Sequence, residues 1–317
     1  ASLAAAATAE TPPNDADALA ERYSHPTWLV ERWLAAFGEP ETRQLLAWDQ
    51  QPAPVHARLI QASAEGTSAP AGMPMPAWFR PTRWPGYFLL DKPDWVEVER
   101  WLAAGRIYLQ DPATAVAPDV LAVKPGEAVL DLCAAPGGKT LQLAEAVGPS
   151  GTVVAVDLPG PRLVRLRENI RRYAALRSRI SIVAADGRNL SATILAAEKQ
   201  PRAYDAVLLD APCSNTGVLR HRVDAKWRLR ASDLRALAEL QLALLERAAG
   251  LVRAGGRLVY STCSLEAEEN VRVVETVLRT PAGAGFACVE ARSSHPARDG
   301  RDGAGAFLLR RAGSDRD

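Results

Sequence analysis

The chain has 317 residues, 48% of them hydrophobic, and a formal net charge of +1. This length is sufficient for two domains, and the apolar content predicts a substantial core and excludes a wholly disordered chain. A net charge near zero means that any polyanionic partner is held by local basic patches. Because no apolar run reaches the length of a membrane span and the first ten residues lack a basic signal start, we expect a cytosolic protein.

The predicted elements of the N-terminal part are helices and short strands. Residues 1–16, rich in Ala, Thr, Pro and Asp, predict a disordered tail. A helical pattern runs from there to Phe37, interrupted before Pro26, since a residue that precedes proline disfavours the helical conformation. Further along we predict a helix at 42–49, a strand at 55–60, a loop at 61–85, a strand at 87–90, a helix at 95–103 and an extended segment at 107–110.

The tryptophans suggest where this part ends. Seven of the eight lie at or before Trp101. This shift in composition predicts an α+β N-terminal domain at 17–118, a boundary near 112–124 and a second domain at 119–317. Core packing is the simplest role for most of these tryptophans, since large aromatic residues are mostly buried. The alternative is a stacking surface for nucleic-acid bases, as expected of an RNA-binding domain.

From residue 124 onward, predicted strands and helices alternate. Strands are predicted at 128–132, 152–157, 180–186, 204–210 and 256–263, helices at 161–176, 232–252 and 267–278, and two final strands at 286–290 and 306–310. This alternation predicts an α/β fold with a doubly wound, mostly parallel sheet. Ligands of such sheets bind beyond the carboxyl ends of the strands.

The stretch CAAPGGKT (133–140) follows the first strand of this sheet. Its Pro-Gly-Gly turn and the helical pattern behind it predict a strand–turn–helix unit, whose backbone N–H groups suit a carboxylate or phosphate. A Walker P-loop requires glycine where Cys133 stands, and a dinucleotide fingerprint requires three spaced glycines, so both motifs are excluded. A tight turn without a ligand is the simplest alternative.

Acidic residues end the next three strands. These are Asp157, Asp186 and Asp210. Asp157 is spaced to accept hydrogen bonds from a ribose. Asp186 suits either an adenine amine or, before Gly187, an ordinary β-turn. Since no basic group is placed for a 2′-phosphate, the pattern favours an adenosine with an amino-acid tail, such as S-adenosyl-L-methionine.

The four cysteines are Cys133, Cys213, Cys263 and Cys288. They form no CxxC pair, which argues against a disulfide framework and a structural zinc site, and we expect no metal. Cys213 lies in DAPCS (210–214) and Cys263 in STCS (261–264). Each alone is most simply a small buried hydrophobic residue. Two of them at strand ends, in Pro, Ser and Thr contexts, favour thiolate chemistry.

The motifs CAAPGGKT, DAPCS and STCS, with EAEEN (266–270) behind them, resemble the RNA 5-methylcytosine methyltransferases of the Sun/NOL1/NOP2 family. The stretch YSHPTWL (23–29) and the pair Gln110-Asp111 resemble its RsmB (Fmu)-like branch, which acts on 16S ribosomal RNA. The resemblance covers about residues 23–280 and implies a Rossmann-like methyltransferase domain that uses S-adenosyl-L-methionine. Proteins of that branch carry a further NusB-type N-terminal domain, and we expect that this chain, which begins with Ala, starts after it.

The resemblance implies a role for each matching residue. Cys263 would attack C6 of the target cytosine, Cys213 would assist loss of the C5 proton and product release, and Asp210 would hold the base edge near N3 and N4. The implied cofactor contacts are Cys133, Ala134, Ala135, Pro136, Gly137, Gly138, Lys139, Asp157, Asp186 and Asp210.

A basic cluster follows Cys213. We expect Arg220, Arg222, Lys226 and Arg228 to contact RNA phosphates, whereas the arginines after the second strand are expected to form a solvated face. Trp227 either stacks on a base or packs against its own segment. The expected enzyme is a monomer that acts on single-stranded or looped RNA, because the target base must leave its stack. Two alternatives are a DNA cytosine methyltransferase that uses Cys213 as nucleophile and a non-catalytic ribosome-assembly factor.

Overall fold

The computed structural model describes residues 15–60 and 75–313. Most of the predicted tail (1–14) and most of the predicted loop (61–74) lie outside these residues. The elements before the large sheet are α1 (Ala16–Tyr23), α2 (Thr27–Phe37), α3 (Glu39–Asp49), β1 (His56–Leu59), β2 (Phe79–Pro81), β3 (Tyr87–Leu90), α4 (Trp95–Ala103) and β4 (Ile107–Leu109).

The helices α1, α2 and α3 pack around one apolar core. The predicted break at Pro26 separates α1 from α2. Leu29 and Trp33 of α2 are buried in this core with Leu219 from the second half of the chain, and the partly buried Leu265 packs against it. Because those two residues follow the two motif cysteines, the N-terminal helices pack directly against the segments that carry the candidate site.

The strands β1 to β4 form a separate antiparallel sheet in the order β2-β3-β1-β4. Helix α4 packs on this sheet through Val98 and Trp101, which are buried with Phe79. The prediction of an unbroken loop up to residue 85 was wrong at β2, because three residues are too few to show a strand pattern in the sequence.

The second half of the chain alternates strands and helices. Its elements are α5 (Val116–Leu121), β5 (Ala128–Leu132), α6 (Gly138–Ala146), β6 (Thr152–Asp157), α7 (Pro161–Arg172), α8 (Ala174–Arg177), β7 (Ile180–Ala184), α9 (Ala192–Ala197), β8 (Tyr204–Asp210), α10 (Ala225–Arg228), α11 (Ala231–Ala249), β9 (Val252–Thr262), α12 (Val271–Val277), β10 (Phe286–Ser294), α13 (Pro296–Asp299) and β11 (Ala304–Arg311). Short 3₁₀ turns lie at Pro112–Ala115, Gly187–Asn189, Ala267–Glu269 and Pro281–Gly283.

These strands form a seven-stranded sheet in the order β10-β11-β9-β8-β5-β6-β7. The five strands from β9 to β7 are parallel, and β11 and β10 extend the sheet in antiparallel pairing. Strand β5 is apolar along its length because both faces of the sheet are covered there: Val129 faces one core, and Leu130 and Leu132 face the other. The predicted doubly wound, mostly parallel α/β fold is therefore confirmed.

Two predicted helices are interrupted in the structure. The helix after β6 ends at Arg172, and Tyr173 turns inward to donate a hydrogen bond to the Ile107 carbonyl (2.7 Å) before α8 begins. The helix predicted at 267–278 starts as a 3₁₀ turn and is broken at Asn270. The Asn270 amide donates to the carbonyls of Ser264 (2.8 Å) and Glu266 (3.0 Å). These hydrogen bonds fix the segment before Asn270 in a non-helical conformation.

Helix α5 crosses the predicted domain boundary. Its residues Val116 and Val120 share a core with Val259 of β9 and Leu308 of β11. This short helix therefore covers one face of the large sheet. Within the described part of the chain, no helix is both long enough and apolar enough to span a lipid bilayer.

Candidate active site

Cys213 and Cys263 lie beyond the carboxyl ends of two neighbouring parallel strands. Cys213 comes shortly after β8, and Cys263 directly follows β9. Their Sγ atoms are 3.2 Å apart, although 50 residues separate them in the chain. Both side chains are half-buried and line a single cavity of about 910 Å³. The structure thus brings the two motif thiols together at one pocket.

The two thiols differ in their surroundings. The hydrogen bond with Cys263, followed by burial, raises the pKa of Cys213 well above its ordinary value. Cys213 therefore keeps its proton at neutral pH and is able to donate a hydrogen bond to Cys263 Sγ, in a contact where either sulfur can be the donor. A donated hydrogen bond stabilises a thiolate, which is the nucleophilic form of cysteine. The raised pKa of Cys213 therefore favours Cys263 as the candidate attacking sulfur and Cys213 as its partner.

Lys139 and Asp210 form an ion pair in the same cavity. The Lys139 Nζ atom donates to Asp210 Oδ2 at 2.7 Å, and Ser261 Oγ donates to Asp210 Oδ1 at 2.9 Å. Ser261 is the register partner of Asp210 in the β8–β9 pair. Burial lowers the pKa of Lys139, but Asp210 and Cys263 raise it above its usual value overall. Lys139 therefore stays positively charged beside the candidate nucleophile.

Asn215 holds the backbone between the two cysteines. Its φ of 64° lies in the left-handed region, which asparagine tolerates better than most residues. Its amide donates to the Cys213 carbonyl at 2.8 Å, and its Oδ1 accepts from Cys263 Sγ at 3.3 Å. The Gly217 N–H then donates to the Cys263 carbonyl at 2.9 Å. These bonds link the loop after β8 to the loop after β9.

A buried carboxylate joins the same two loops from behind. Glu269 is fully buried and accepts hydrogen bonds from the Ser214 N–H (2.9 Å), the Ser264 hydroxyl (2.5 Å) and the Gln241 amide (2.9 Å). The Ser214 hydroxyl also donates to it. Ser214 and Ser264 are the residues that directly follow the two cysteines. Glu269 is therefore placed to keep the distance between the sulfur atoms short.

The EAEEN motif carries two buried carboxylates whose role was not predicted from the sequence. Glu266 and Glu269 are both buried, whereas Glu268 is partly exposed. Glu266 accepts from Arg32 Nε (2.9 Å) and Trp33 Nε1 (3.1 Å) of α2. The spacing of three residues between the buried glutamates, which puts both on one face, was the signal that could have found them.

The predicted cofactor turn leads directly into the N-terminus of α6, a position that suits an anion. Gly137 has a φ of 109°, and a Cβ there would lie 2.9 Å from Leu166 of α7, so the position requires glycine. No side chain caps the N-terminus of α6, which leaves its first N–H groups available to a ligand. Ala135, Pro136 and Lys139 of this turn line the cavity.

Asp131 lies directly behind this turn, on β5. Its Oδ2 accepts from the Thr140 hydroxyl at 2.6 Å, while its Oδ1 is buried without a hydrogen-bond partner among the described residues. Burial raises the pKa of Asp131 to about 7. Burial also raises the pKa of the neighbouring Cys133 to about 12, so this thiol is inert at neutral pH.

Asp157 and Asp186 lie at the same edge of the sheet, at the ends of β6 and β7. Asp157 is buried and accepts from the N–H groups of Ala135 (2.8 Å) and Leu158 (2.9 Å). Asp186 is half-buried and pairs with Arg188, as in the turn that the sequence offered as an alternative. The described lining of the cavity includes neither carboxylate.

Two of the four predicted phosphate contacts are buried. Arg220 donates to Asp302 (2.8 Å) and stacks 4.0 Å above the Trp48 ring. Lys226 is 2% exposed, and burial lowers its pKa despite the nearby Asp49. Arg220 lines the cavity but is 9% exposed and already held by Asp302, and Lys226 is buried, so the structure argues against a free phosphate contact by either residue.

Exposed arginines also lie at the cavity. Arg222 is exposed and lines the cavity, and Arg228 is exposed nearby on α10. Arg162 and Arg165 of α7, expected as part of a solvated face, also line the cavity. The sequence could not show this, because the contact depends on how α7 lies against the turn after β5.

An acidic cluster borders the cavity on another side. Asp111, His221 and Asp302 offer ligand atoms that lie within 4.8 Å of one another. The guanidinium of Arg220 already pairs with Asp302 and lies 3.7 Å from Asp111. This cation balances the carboxylates and would repel a metal ion at the same point.

Residues 118–304 match the family described as "16S rRNA methyltransferase RsmB/F". Ribosomal RNA small subunit methyltransferase B of Salmonella paratyphi B is 37% identical over 272 residues, which cover 83% of this chain and 60% of that protein. The chain thus spans less than two thirds of the length of this curated relative.

Solved structures show the same fold. The crystal structure of PH0851 has a TM-score of 0.80 at 29% identity, covering 96% of this chain and 70% of that one. A methyltransferase homologue from Pyrococcus horikoshii has a TM-score of 0.73 at 24% identity, covering 92% and 97%. The family expected from the motifs is therefore confirmed, and the chain belongs to the RsmB/F family of 16S rRNA methyltransferases.

Proposed function

We propose that the protein transfers a methyl group from S-adenosyl-L-methionine to C5 of a cytosine in RNA, and that the RNA is 16S ribosomal RNA. The observation that carries the proposal is the 3.2 Å distance between Cys213 Sγ and Cys263 Sγ in one cavity. Cytosine C5 is a poor nucleophile until another group adds to the ring, so the reaction requires a thiolate. The Lys139–Asp210 pair beside the sulfurs supplies charge and hydrogen bonds for the base.

The residues present fit the expected cofactor. S-adenosyl-L-methionine is the cofactor of this family and supplies an activated methyl group when bound. The uncapped start of α6 suits its carboxylate, and the unpartnered Oδ1 of Asp131 suits its ammonium group. We assign residues 133–139 to the methionine part, Asp157 to the ribose and Asp186 to the adenine. Contact with the adenine requires Arg188 to give up part of its hydrogen bonding with Asp186.

Cys263 would begin the reaction by adding its thiolate to C6 of the cytosine, and the electron pair of the C5–C6 bond would become available at C5. Asp210 would hold the base edge near N3 and N4, with Lys139 and Ser261 fixing its carboxylate. Once C5 carries the methyl group, the C5 proton must leave and the bond from Cys263 to C6 must break.

Cys213 is suited to that second half of the reaction. Its hydrogen bond to Cys263 is the largest cause of its raised pKa. When Cys263 is bonded to C6 it no longer carries charge, so the main obstacle to ionising Cys213 is removed. Cys213 would first release its thiol proton to water in the cavity and would then accept the C5 proton as a thiolate. The electron pair of the C5–H bond would re-form the C5–C6 double bond and expel Cys263 as a thiolate. These steps use two thiols and no metal ion.

The RNA would reach the site as an unpaired strand, because the target base must leave its stack. Arg162, Arg165 and Arg222 on the cavity wall suit phosphate contacts. The N-terminal part also contributes to the wall through His56 and Gln110, which supports its assignment as an RNA-binding domain. We further propose that the protein acts as a monomer in the cytosol.

Two alternatives make different predictions. A DNA cytosine methyltransferase would use Cys213 as nucleophile and would not need Cys263. A non-catalytic assembly factor would need neither thiol, and calorimetry would detect no binding of S-adenosyl-L-methionine.

The test is transfer of a labelled methyl group to unmodified 16S rRNA transcript, with a DNA copy of the same sequence as control. We expect labelling of the RNA alone, as 5-methylcytosine, and loss of one signal when bisulfite mapping is applied to rRNA from cells that lack the protein. Labelling of the DNA, or an unchanged bisulfite map, would contradict the assignment.

A further inference from the structure

Two large apolar side chains are exposed beside the cavity, on the segment that follows Cys213. Trp227 is 61% exposed and Val223 is 58% exposed. The residues just before them, His221 and Arg222, line the cavity. Tryptophan is highly buried on average, so one that faces solvent at the edge of a functional cavity requires an explanation.

The segment that carries Trp227 is firmly attached to the protein. Helix α10 buries Lys226, and Ala225 packs against the core of α1, α2 and α3. The Leu229 N–H donates to the Ala225 carbonyl at 2.9 Å and closes the turn. With Ala225 and Lys226 held inside, Trp227 and Arg228 point outward as a preformed surface.

The exposed arginines around this surface outnumber the one exposed aspartate, so the local charge is net positive. Arg222 and Arg228 are exposed on either side of Val223 and Trp227, and the acidic residue between them, Asp224, is paired with Arg228. A surface that combines an exposed indole with arginines is typical of sites that bind single-stranded nucleic acid, where bases stack on aromatic rings and cations hold phosphates. A surface that binds another protein would be expected to expose a larger apolar patch than these two side chains form.

We infer that Arg222, Val223 and Trp227 form a platform for the RNA nucleotides next to the target cytosine, with one base stacked on the indole of Trp227. This inference rests on the proposed function for the identity of the RNA. It adds a surface outside the cavity, where the strand would be held while its target base occupies the pocket. A stacked neighbour would also help to keep the target strand unpaired.

The test compares Trp227→Ala, Trp227→Leu and Trp227→Phe with the wild type. Leu keeps an apolar side chain without a ring, whereas Phe keeps a smaller ring. Val289→Ala, at an exposed valine on β10, is the control for loss of surface apolar area. The measurements are the Kd of deproteinised 16S rRNA transcript by filter binding, the KM and kcat of methyl transfer to it, and a thermal unfolding curve for each variant.

We expect Trp227→Ala and Trp227→Leu to raise both Kd and KM about tenfold, the loss of one base stack, while kcat at saturating RNA stays within about twofold. Trp227→Phe should recover most of the affinity, and Val289→Ala should change nothing. A general loss of folding would lower kcat and the unfolding temperature instead.

The outcomes separate this inference from the proposed function. If the wild type methylates the RNA and Trp227→Ala binds it equally well, the inference about Trp227 is contradicted and the proposed function is supported. If Trp227 controls RNA affinity but no methyl transfer occurs, the platform stands without the proposed activity. If Trp227→Ala weakens binding to protein-containing small subunits alone, the surface contacts a protein and the inference is overturned.

Discussion

The Oγ atoms of Ser214 and Ser264 lie 3.0 Å apart, so the residues that follow the two cysteines touch behind the candidate pocket. Both hydroxyls donate to the buried carboxylate of Glu269. The short distance between the sulfur atoms is thus maintained by a polar network that does not itself contact the cavity. This arrangement explains why a carboxylate is buried beneath two loops that carry thiols.

Removing this carboxylate should disturb the geometry of the pair. Glu269→Ala leaves Ser214 and Ser264 without their shared acceptor, so we expect a loss of about 2 kcal/mol in the free energy of unfolding. A displacement of the sulfurs by about 1 Å would lower kcat about 10²-fold. Urea unfolding and methyl-transfer rates measure the two effects.

Glu268→Ala is the matched control for this change. Glu268 is a neighbouring, partly exposed glutamate that pairs with Arg32 on the surface. Its removal should cost less than about 1 kcal/mol and leave the rate unchanged. If both variants lowered kcat equally, the network behind the cysteines would have no specific role.

Substitution of the two cysteines should block the reaction at different steps. Cys263→Ala removes the nucleophile, so we expect neither methyl transfer nor a covalent complex with RNA. Cys213→Ala leaves the nucleophile in place but slows the final elimination, so the protein should accumulate as a covalent adduct with methylated RNA. A denaturing gel with labelled RNA distinguishes the two variants. An adduct formed by Cys263→Ala would reverse the assigned roles.

Lys139 should set the pH range of the reaction. The net effect of its surroundings is a raised pKa, so its ammonium group persists through the neutral range beside Cys263. Lys139→Gln removes a positive charge that favours a thiolate, and the rising limb of the pH–rate profile should move upward by about one unit. Single-turnover rates between pH 6 and 9 test this, and an unmoved profile would show that Lys139 acts only through Asp210.

Asp131 should make stability depend on pH. Its pKa is raised from the model-peptide value of 3.8 to about 7, so between these values the native state binds a proton that the unfolded state releases. Stability from this group is therefore present below about pH 4 and is lost as pH rises to about 7. Asp131→Asn removes the titration, and at pH 8 it should be more stable than the wild type by up to about 4 kcal/mol.

Urea unfolding at pH 5 and pH 8 measures this difference without any ligand. The gain of Asp131→Asn over the wild type should be smaller at pH 5 than at pH 8. The same variant should bind S-adenosyl-L-methionine more weakly, because the carboxylate assigned to the ammonium group is lost. A gain that did not change with pH would mean that Asp131 is ionised in the native protein.

Much of the architecture could be read from local patterns. The apolar run of β5 with the Pro-Gly-Gly turn behind it, and the alternation of strands and helices after residue 124, were sufficient for the α/β sheet. Short elements such as β2 were missed, and Asn270 broke a predicted helix. Strand β2 is too short to show a pattern, and the break at Asn270 depends on side-chain hydrogen bonds to Ser264 and Glu266, which the spacing of apolar residues does not reveal.

The residues of the candidate site were also predicted only in part. Cys213, Cys263 and Asp210 were predicted because each ends or follows a parallel strand, and such ends meet at one edge of a sheet. Burial changed the interpretation of the basic segment, since Lys226 faces inward and Arg220, although it lines the cavity, is buried against Asp302, whereas Arg222 is exposed at the cavity. A run of alternating charges gives no indication of which side chains point outward.

By itself, the sequence determined the order of the strands along the chain and the chemical groups at their ends, because both follow from residue type and spacing. Only the tertiary structure decided that Cys213 and Cys263 lie within hydrogen-bond distance, that Glu269 joins their loops and that Trp227 faces solvent. These relationships connect segments up to 55 residues apart or depend on which face of a short helix is covered. They arise from packing, which brings distant groups within hydrogen-bond distance and excludes water from some of them.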